Sequence, residues 1–231
     1  VQAWSTVQFL EKKLKAKTIA LIDDKQTYTA GLTANIKKYA KENNIVKVVA
    51  HEFITPGDSD FTAVLTKIKR INPDVVYMGV YQPEGSKMIQ QARKLDMSST
   101  FVSEDAVFHP MFLKVAGPNA EGVYLTFAKA PETPERDEFI KTYKEMWNAE
   151  AVGSYAYYAY DAGMMALAAV AKAGTADADK LQATIRGNTW PGVSGDIAFD
   201  EHGDRKIAHI VWLVKDNQFV PYWDPITGKD L

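Results

Sequence analysis

The sequence contains no cysteine, and this absence excludes disulfides, thiolate metal sites and thiol nucleophiles together. It also lacks any apolar run approaching the roughly 20 residues that a membrane-spanning helix needs. Neither sign of charge dominates, because 29 acidic residues stand against 27 basic ones in 231 residues. The lysines between Lys12 and Lys17 form only a short run, which we interpret as a solvated helix face. We therefore expect no nucleic-acid partner and no membrane-embedded part.

Apolar runs alternate with amphipathic stretches from Lys17 onward. The runs, each with the stretch that follows it, cover residues 18–22 and 29–42, 46–53 and 61–71, 74–79 and 83–95, and a last run at 100–103. Such βα units in succession predict a parallel sheet wrapped by helices. Because the runs do not alternate with polar residues, each strand is expected to be buried on both faces. The sequence predicts the α/β class, with a doubly wound parallel sheet.

This rhythm changes near Gly117, which indicates a crossing between domains. A short predicted strand at 122–127 leads into a loop marked by Pro131 and Pro134. Three helices are predicted next, and the chain ends in β structure. These elements, together with an opening helix, cover residues 4–14, 135–148, 155–173, 177–186, 197–199, 207–214 and 219–222.

The residues that follow the predicted strands are the place to look for chemistry, because ligands of open parallel sheets bind beyond the carboxyl ends of the strands. Tyr28, Tyr81 and Asp105 occupy such positions. A carboxylate suits a ligand ammonium, and tyrosine offers an apolar face with a hydroxyl. The alternatives are a helix cap before Pro110 for Asp105, and packing on the sheet for both tyrosines. Glu84 and Glu104 are expected to be solvated loop acids.

Motifs of enzymes are poor in this sequence. There is no dinucleotide-binding or phosphate-binding glycine loop, and the segment from Gly192 to Gly195 falls short of a nucleophile elbow. Asp23 and Asp24 are similar to the acidic pair of phosphotransfer receiver domains, but partner residues cannot be placed. The acidic segment 200–204 is too short for a calcium loop and is typical of a β-hairpin turn. The four histidines lack metal-ligand spacing. We predict no catalytic residue, no metal site and no cofactor.

Several short segments together resemble the branched-chain amino-acid-binding proteins of ABC importers, which have the type I periplasmic binding protein fold. The segments are residues 22–28 with Gly31, Asp60 and Phe61 with Leu65, 73–77, 79–81, 90–93, 120–122 and 199–204. The resemblance runs from about Val7 to Tyr222 and is specific as an ensemble.

Four site residues follow from this resemblance. Tyr28 and Tyr81 match pocket tyrosines after the first and third strands of the second lobe, and Asp105 matches the acid that meets the ligand's α-ammonium. Leucine-type proteins typically have Glu there, so the reach is one methylene shorter. Tyr155 resembles an aromatic residue that lines the pocket from the first lobe. The other tyrosines of the same helix that compete for this role are Tyr157, Tyr158 and Tyr160.

The resemblance also implies a division of the chain. Family members begin with a βα half-domain that supplies a serine and a threonine to the ligand carboxylate, and nothing here matches it. We therefore expect an N-terminally truncated chain, which starts at Val1 without an export leader. Residues 1–125 are expected to form the second lobe. Residues 126–190 are expected to be helices of the incomplete first lobe, and residues 191–231 to cross back into a terminal β-hairpin.

The function implied is that of an extracytoplasmic solute-binding protein. It would capture an amino acid or similar small polar ligand between two lobes and deliver it to an ABC permease. The intact protein is expected to be a monomer in the periplasm, or lipid-anchored outside the membrane in a Gram-positive source. One alternative is a ligand-sensing receptor or regulator of the same fold. Another is an α/β enzyme using Asp24, Asp105 or Glu104, which lacks an activated nucleophile or cofactor loop.

Overall fold

The computed structural model describes all residues, 1–231, and divides into two compact units. The first unit combines Val1–Phe127 with His209–Leu231, and the second is Ala128–Ala208. Residues 191–208 thus group with the helices that precede them, and only the last two strands return to the first unit.

A seven-stranded sheet forms the centre of the first unit. Its strands are β1 (Thr18–Asp23), β2 (Lys47–Phe53), β3 (Val75–Gly79), β4 (Thr100–Glu104), β5 (Tyr124–Ala128), β6 (His209–Lys215) and β7 (Gln218–Trp223). The order across the sheet is β2-β1-β3-β4-β5-β6-β7. All four pairings among β1 to β5 are parallel, whereas β6 and β7 pair antiparallel. The predicted parallel sheet is confirmed.

Helices cover both faces of this sheet. They are α1 (Gln2–Lys12), α2 (Thr27–Glu42), α3 (Thr62–Ile71), α4 (Glu84–Lys94) and α5 (Pro110–Ala116), with a short 3-10 turn at Asp105–Val107 between β4 and α5. Side chains of β1 show why both faces need covering. Ile19 and Leu21 pack in one core with α1 and α2, whereas Ala20 and Ile22 pack in another with α3, α4 and α5. The sheet is therefore doubly wound, and its central strands β1, β3 and β4 are almost fully buried because neither of their faces meets water. The edge strand β2 is only partly buried, so the expectation of burial on both faces is wrong for it.

Three helices and a chain of turns make up the second unit. The helices are α6 (Pro134–Trp147), α7 (Ser154–Ala173) and α8 (Ala178–Arg186). Near the middle of α7, the buried carboxylate of Asp161 accepts hydrogen bonds from the backbone N–H groups of Val193 and Ser194, at 2.7 and 2.9 Å. This contact fixes the loop after α8 to α7. None of the protein's helices is both long and apolar enough to cross a membrane.

The strand predicted at residues 197–199 is wrong. Ile197 and Phe199 each make only an isolated antiparallel bridge, with Trp190 and Arg205 respectively. Pro191 and Gly192 directly follow Trp190, so the ladder between Trp190 and Ile197 does not propagate. The turn predicted at 200–204 is confirmed, since the Asp200 carboxylate accepts hydrogen bonds from the N–H groups of His202 and Asp204.

The core of the first unit can be tested with two isoleucines of different exposure. Ile36 on α2 is fully buried, whereas Ile226 is 71% exposed. We expect Ile36→Ala to lower the free energy of unfolding by about 2–5 kcal/mol, because it removes buried methyl groups and leaves a cavity. Ile226→Ala should change it by less than about 0.5 kcal/mol. Urea denaturation of both variants measures the difference, and equal losses would contradict the packing described.

Candidate functional site

The strand order of the first unit creates one crevice at the carboxyl edge of its sheet. After β1 the chain enters α2, which packs on one face, and after β3 it enters α4, which packs on the other. Since β1 and β3 are neighbours in the sheet, their following loops diverge and leave a gap between them. In doubly wound folds such a switch point is where ligands bind.

Two tyrosines stand at this switch point. Tyr28 lies in the first turn of α2, and Tyr81 lies in the loop between β3 and α4. Their ring centroids are 6.2 Å apart and their planes are tilted by 56°. Tyr28 is half-buried, whereas Tyr81 is 36% exposed. The two rings therefore form a pair with one inner and one outer member.

Asp105 joins this pair from the 3-10 turn after β4. The Tyr28 hydroxyl donates a hydrogen bond to the Asp105 carboxylate, which is only partly buried. The same hydroxyl oxygen lies 2.7 Å from Oε1 of Gln2 on α1. Three predicted site residues thus come together in one place. Gln2 was missed by the sequence reasoning, because nothing local in the sequence indicates that α1 reaches the carboxyl edge of the sheet.

The charges of this site keep the Tyr28 hydroxyl protonated beside the carboxyl group of Asp105. Burial and the nearby carboxyl groups of Glu104 and Asp105 raise the pKa of Tyr28 far above its ordinary value. Burial, Glu104, Asp24 and Asp105 likewise raise the pKa of Tyr81. Tyr28 is therefore a hydrogen-bond donor at any physiological pH. Its bond to a charged acceptor is of the stronger, charge-assisted kind.

The expectation that Glu104 and Glu84 are solvated loop acids is wrong. Glu104 has no exposed surface, and its carboxylate accepts a hydrogen bond from Ala106 N–H at 2.5 Å. Glu84 is 8% exposed and accepts one from Gly57 N–H at 2.7 Å. Glu104, and not Asp105, is the residue that caps the 3-10 turn. At the start of α5, His109 Nδ1 accepts from the N–H of Met111 at 3.1 Å.

Asp23 and Asp24 shape the turn that carries Tyr28. Asp24 accepts hydrogen bonds from the backbone and side chain of Gln26 and from the Thr29 hydroxyl. Asp23 is 1% exposed and accepts from the Thr33 hydroxyl at 2.7 Å, and its other oxygen accepts from Lys25 N–H at 3.0 Å. These carboxylates are thus engaged in holding the β1–α2 turn.

His51 on β2 completes the Asp23 cluster. Its Nε2 lies 2.6 Å from Oδ2 of Asp23, and its Nδ1 contacts the Lys37 ammonium. Burial would raise the pKa of Asp23, but the hydrogen bonds from Thr33, His51 and Lys25 N–H outweigh it and lower that pKa. This partly buried histidine therefore fixes an aspartate. No group of three or more His, Asp or Glu side chains in the protein could hold a metal ion.

Tyr155 belongs to the second unit. It is the second residue of α7 and is 47% exposed. Of the competing tyrosines, Tyr160 packs on Phe139 with ring centroids 5.0 Å apart, and Tyr157 and Tyr158 pack on each other at 4.7 Å. The proposed ligand-binding roles of Tyr28, Tyr81, Asp105 and Tyr155 remain predictions.

Comparison with known proteins identifies relatives along most of the chain. A family model described as periplasmic binding protein matches residues 1–218. A leucine-, isoleucine-, valine-, threonine- and alanine-binding protein of Pseudomonas aeruginosa is 32% identical over 200 residues, which are 86% of this chain and 53% of the relative. This chain therefore spans about half the length of the curated relatives it matches.

Solved structures agree with the fold. The leucine-binding protein LivK of Thermotoga maritima superposes with a TM-score of 0.82 at 30% identity, covering 95% of this chain and 63% of the other. A solute-binding protein of an ABC transporter from R. palustris, solved with benzoate, also gives a TM-score of 0.82, but at 18% identity. It covers 95% of this chain and 61% of its own. At that identity the likeness concerns the fold alone.

The Asp23 cluster makes a pH-dependent prediction. Because the folded-state pKa of Asp23 is lowered, its stabilisation is complete above the ordinary value of 3.8 and is lost as pH falls through the folded value. We expect Thr33→Val to cost about 1–3 kcal/mol at pH 7, and less as the pH falls below about 3.8. Thr33→Ser keeps the donor, so its cost should not vary with pH. Urea denaturation at several pH values measures both, and a pH-independent cost for Thr33→Val would contradict this account.

Proposed function

This chain belongs to the periplasmic binding protein family, and on that premise we propose that it captures a small amphoteric solute, of the amino-acid type, for transport. The solute would be held between two lobes outside the inner membrane and delivered to an ABC permease. The names of its relatives support the proposal, since the Pseudomonas aeruginosa protein is named for five amino acids.

One observation carries the ligand class: a partly exposed carboxylate, Asp105, stands at the switch point beside the Tyr28 hydroxyl. A carboxylate in such a crevice suits a cationic group of the ligand, and the Tyr81 ring offers an apolar face to its side chain. An aromatic acid without an ammonium group, such as benzoate, would instead be repelled by the carboxylate of Asp105.

The second unit is proposed to belong to the other lobe. No residue of α6 is buried, and the exposed apolar side chains of the unit include Met146, Trp147 and Leu167, each at least 66% exposed. A groove of about 720 Å³ runs between α6 and α7 and is lined mainly by aromatic and aliphatic side chains. Soluble proteins rarely leave such a face uncovered. This supports the assignment of residues 126–190 to a lobe that is built up on these helices.

The ammonium site is tested by Asp105→Asn in the mature gene product. We expect the variant to bind leucine, isoleucine or valine about 10- to 100-fold more weakly, because a charge-assisted hydrogen bond is worth about 1.5–3 kcal/mol. Isothermal titration calorimetry measures both affinities. The matched ligand control is the des-amino analogue of leucine, for which the variant should lose nothing. Unchanged affinity for all amino acids would remove Asp105 from the site.

The contribution of the second unit is tested at Tyr155. We expect Tyr155→Ala to weaken amino-acid binding by about fivefold, since an aromatic contact of this kind contributes about 0.5–1.5 kcal/mol. Tyr160→Ala serves as the control, because that ring packs on Phe139 and its loss should lower stability instead. Affinities from calorimetry and melting temperatures separate the two effects. The assignment is wrong if Tyr160→Ala, and not Tyr155→Ala, raises the dissociation constant.

A further inference from the structure

Glu104 lies behind Asp105 on the most buried side of the site. It is the last residue of β4 and lies two residues after Val102, which packs in the core with α1 and α2. Because side chains of a strand alternate, Glu104 points to that same face. Thr126 stands opposite it on β5, and the fully buried Tyr77 lies on β3 in the same core.

Each of these three side chains has a buried polar atom without a hydrogen-bond partner. The atoms are Oε1 of Glu104, Oη of Tyr77 and Oγ1 of Thr126. A buried polar atom that is not hydrogen-bonded costs about 1–3 kcal/mol, and more for a charged group. The arrangement is therefore tolerable for a neutral carboxylic acid and expensive for a carboxylate.

No basic group offsets a charge on Glu104. The titratable groups that interact with it are Tyr28 from α2, Tyr77 from β3, Tyr81 from the following loop, and Asp105. Gln2 of α1 contacts Tyr28 but does not titrate. Glu104 takes part in none of the ion pairs of the protein. Burial, followed by the charge of Asp105 and a side-chain hydrogen bond with it, raises the pKa of Glu104 well above its usual range, although the Ala106 N–H and a hydrogen bond with Tyr28 oppose this.

Glu104 also fixes the position of Asp105. Its Oε2 accepts the hydrogen bond from Ala106 N–H that begins the 3-10 turn at Asp105–Val107. That turn carries the Asp105 carboxylate to the Tyr28 hydroxyl. The interaction needs only an oxygen acceptor, which a protonated acid and an amide both provide.

We propose that Glu104 and Asp105 act as an acidic pair with a single negative charge, in which Glu104 keeps its proton and positions Asp105 to meet the cation of the ligand. This inference rests on the proposed function, because it assigns the charge of the same site. A pocket with one negative charge suits a ligand with one ammonium group. It disfavours a ligand with two neighbouring cations, whose second charge would find no counter-charge there.

The proton on Glu104 is tested by stability, without any ligand. An acid whose folded-state pKa is raised stabilises fully below its unfolded pKa, and that stability is lost as pH rises toward the folded value. Glu104→Gln cannot ionise, so its unfolding equilibrium constant relative to the wild type should fall by up to about tenfold per pH unit above pH 4.5. Thr126→Val, a non-titrating change opposite Glu104, should show a constant offset. A pH-independent ratio for Glu104→Gln would overturn the proposal.

The positioning role is tested by binding of leucine to the mature gene product at pH 7. Glu104→Ala removes the acceptor for Ala106 N–H and should weaken binding by about tenfold, as expected when a charge-carrying turn loses its cap. Glu104→Gln should restore the affinity to within about threefold of the wild type. If Glu104→Gln binds as weakly as Glu104→Ala, the charge of Glu104 is needed and the proposal is wrong. If the wild type binds no amino acid at all, the proposed function fails, and the stability series still decides whether Glu104 holds a proton.

Discussion

The divergence of two helices at neighbouring strands is the constraint on which the site depends. β1 sends α2 to one face of the sheet, and β3 sends α4 to the other, because each face needs its own apolar cover. A gap opens where the two loops part, and Tyr28 and Tyr81 stand on its two sides. The buried Asp23 and Asp24 stabilise the turn that starts α2. Core packing and the position of the aromatic pair therefore have the same origin.

Electrostatics gives this gap its chemical character. Around the crevice stand Asp105, Glu104 and three tyrosines, and Glu104 takes part in none of the ion pairs of the protein. Two adjacent carboxylates in a poorly solvated place cannot both stay ionised without a cation. The difference in their exposure supports the proposal that Glu104 keeps its proton, because Glu104 has no solvent contact whereas Asp105 is partly exposed. In the proposed site, the buried acid Glu104 thus limits the negative charge that a ligand meets.

Much of the first unit could be predicted from sequence, because continuous apolar runs report strands buried on both faces and the parallel order follows from the βα rhythm. Tyr28, Tyr81 and Asp105 could be located for the same reason, since each closely follows a strand. The burial of Glu104 could not be predicted from the sequence, because α1, about a hundred residues away along the chain, helps to bury it. The position of Gln2 in the site could not be predicted for the same reason. The strand expected at 197–199 does not form because a strand needs a continuous partner, and the partner segment at Trp190 is interrupted by Pro191 and Gly192.

Shared architecture does not decide the ligand. The same TM-score relates this chain to a leucine-binding protein and to a protein solved with benzoate, so the identity of the solute resides in side chains at the crevice. In the proposed site the deciding side chain is Asp105, and the strength of its interaction with a ligand depends on solvent. An ion pair exposed to water contributes about 0–1 kcal/mol, whereas the same pair shielded from water contributes several times more. The selectivity of the site is therefore set by whatever excludes water from Asp105 when the ligand is bound, as much as by Asp105 itself.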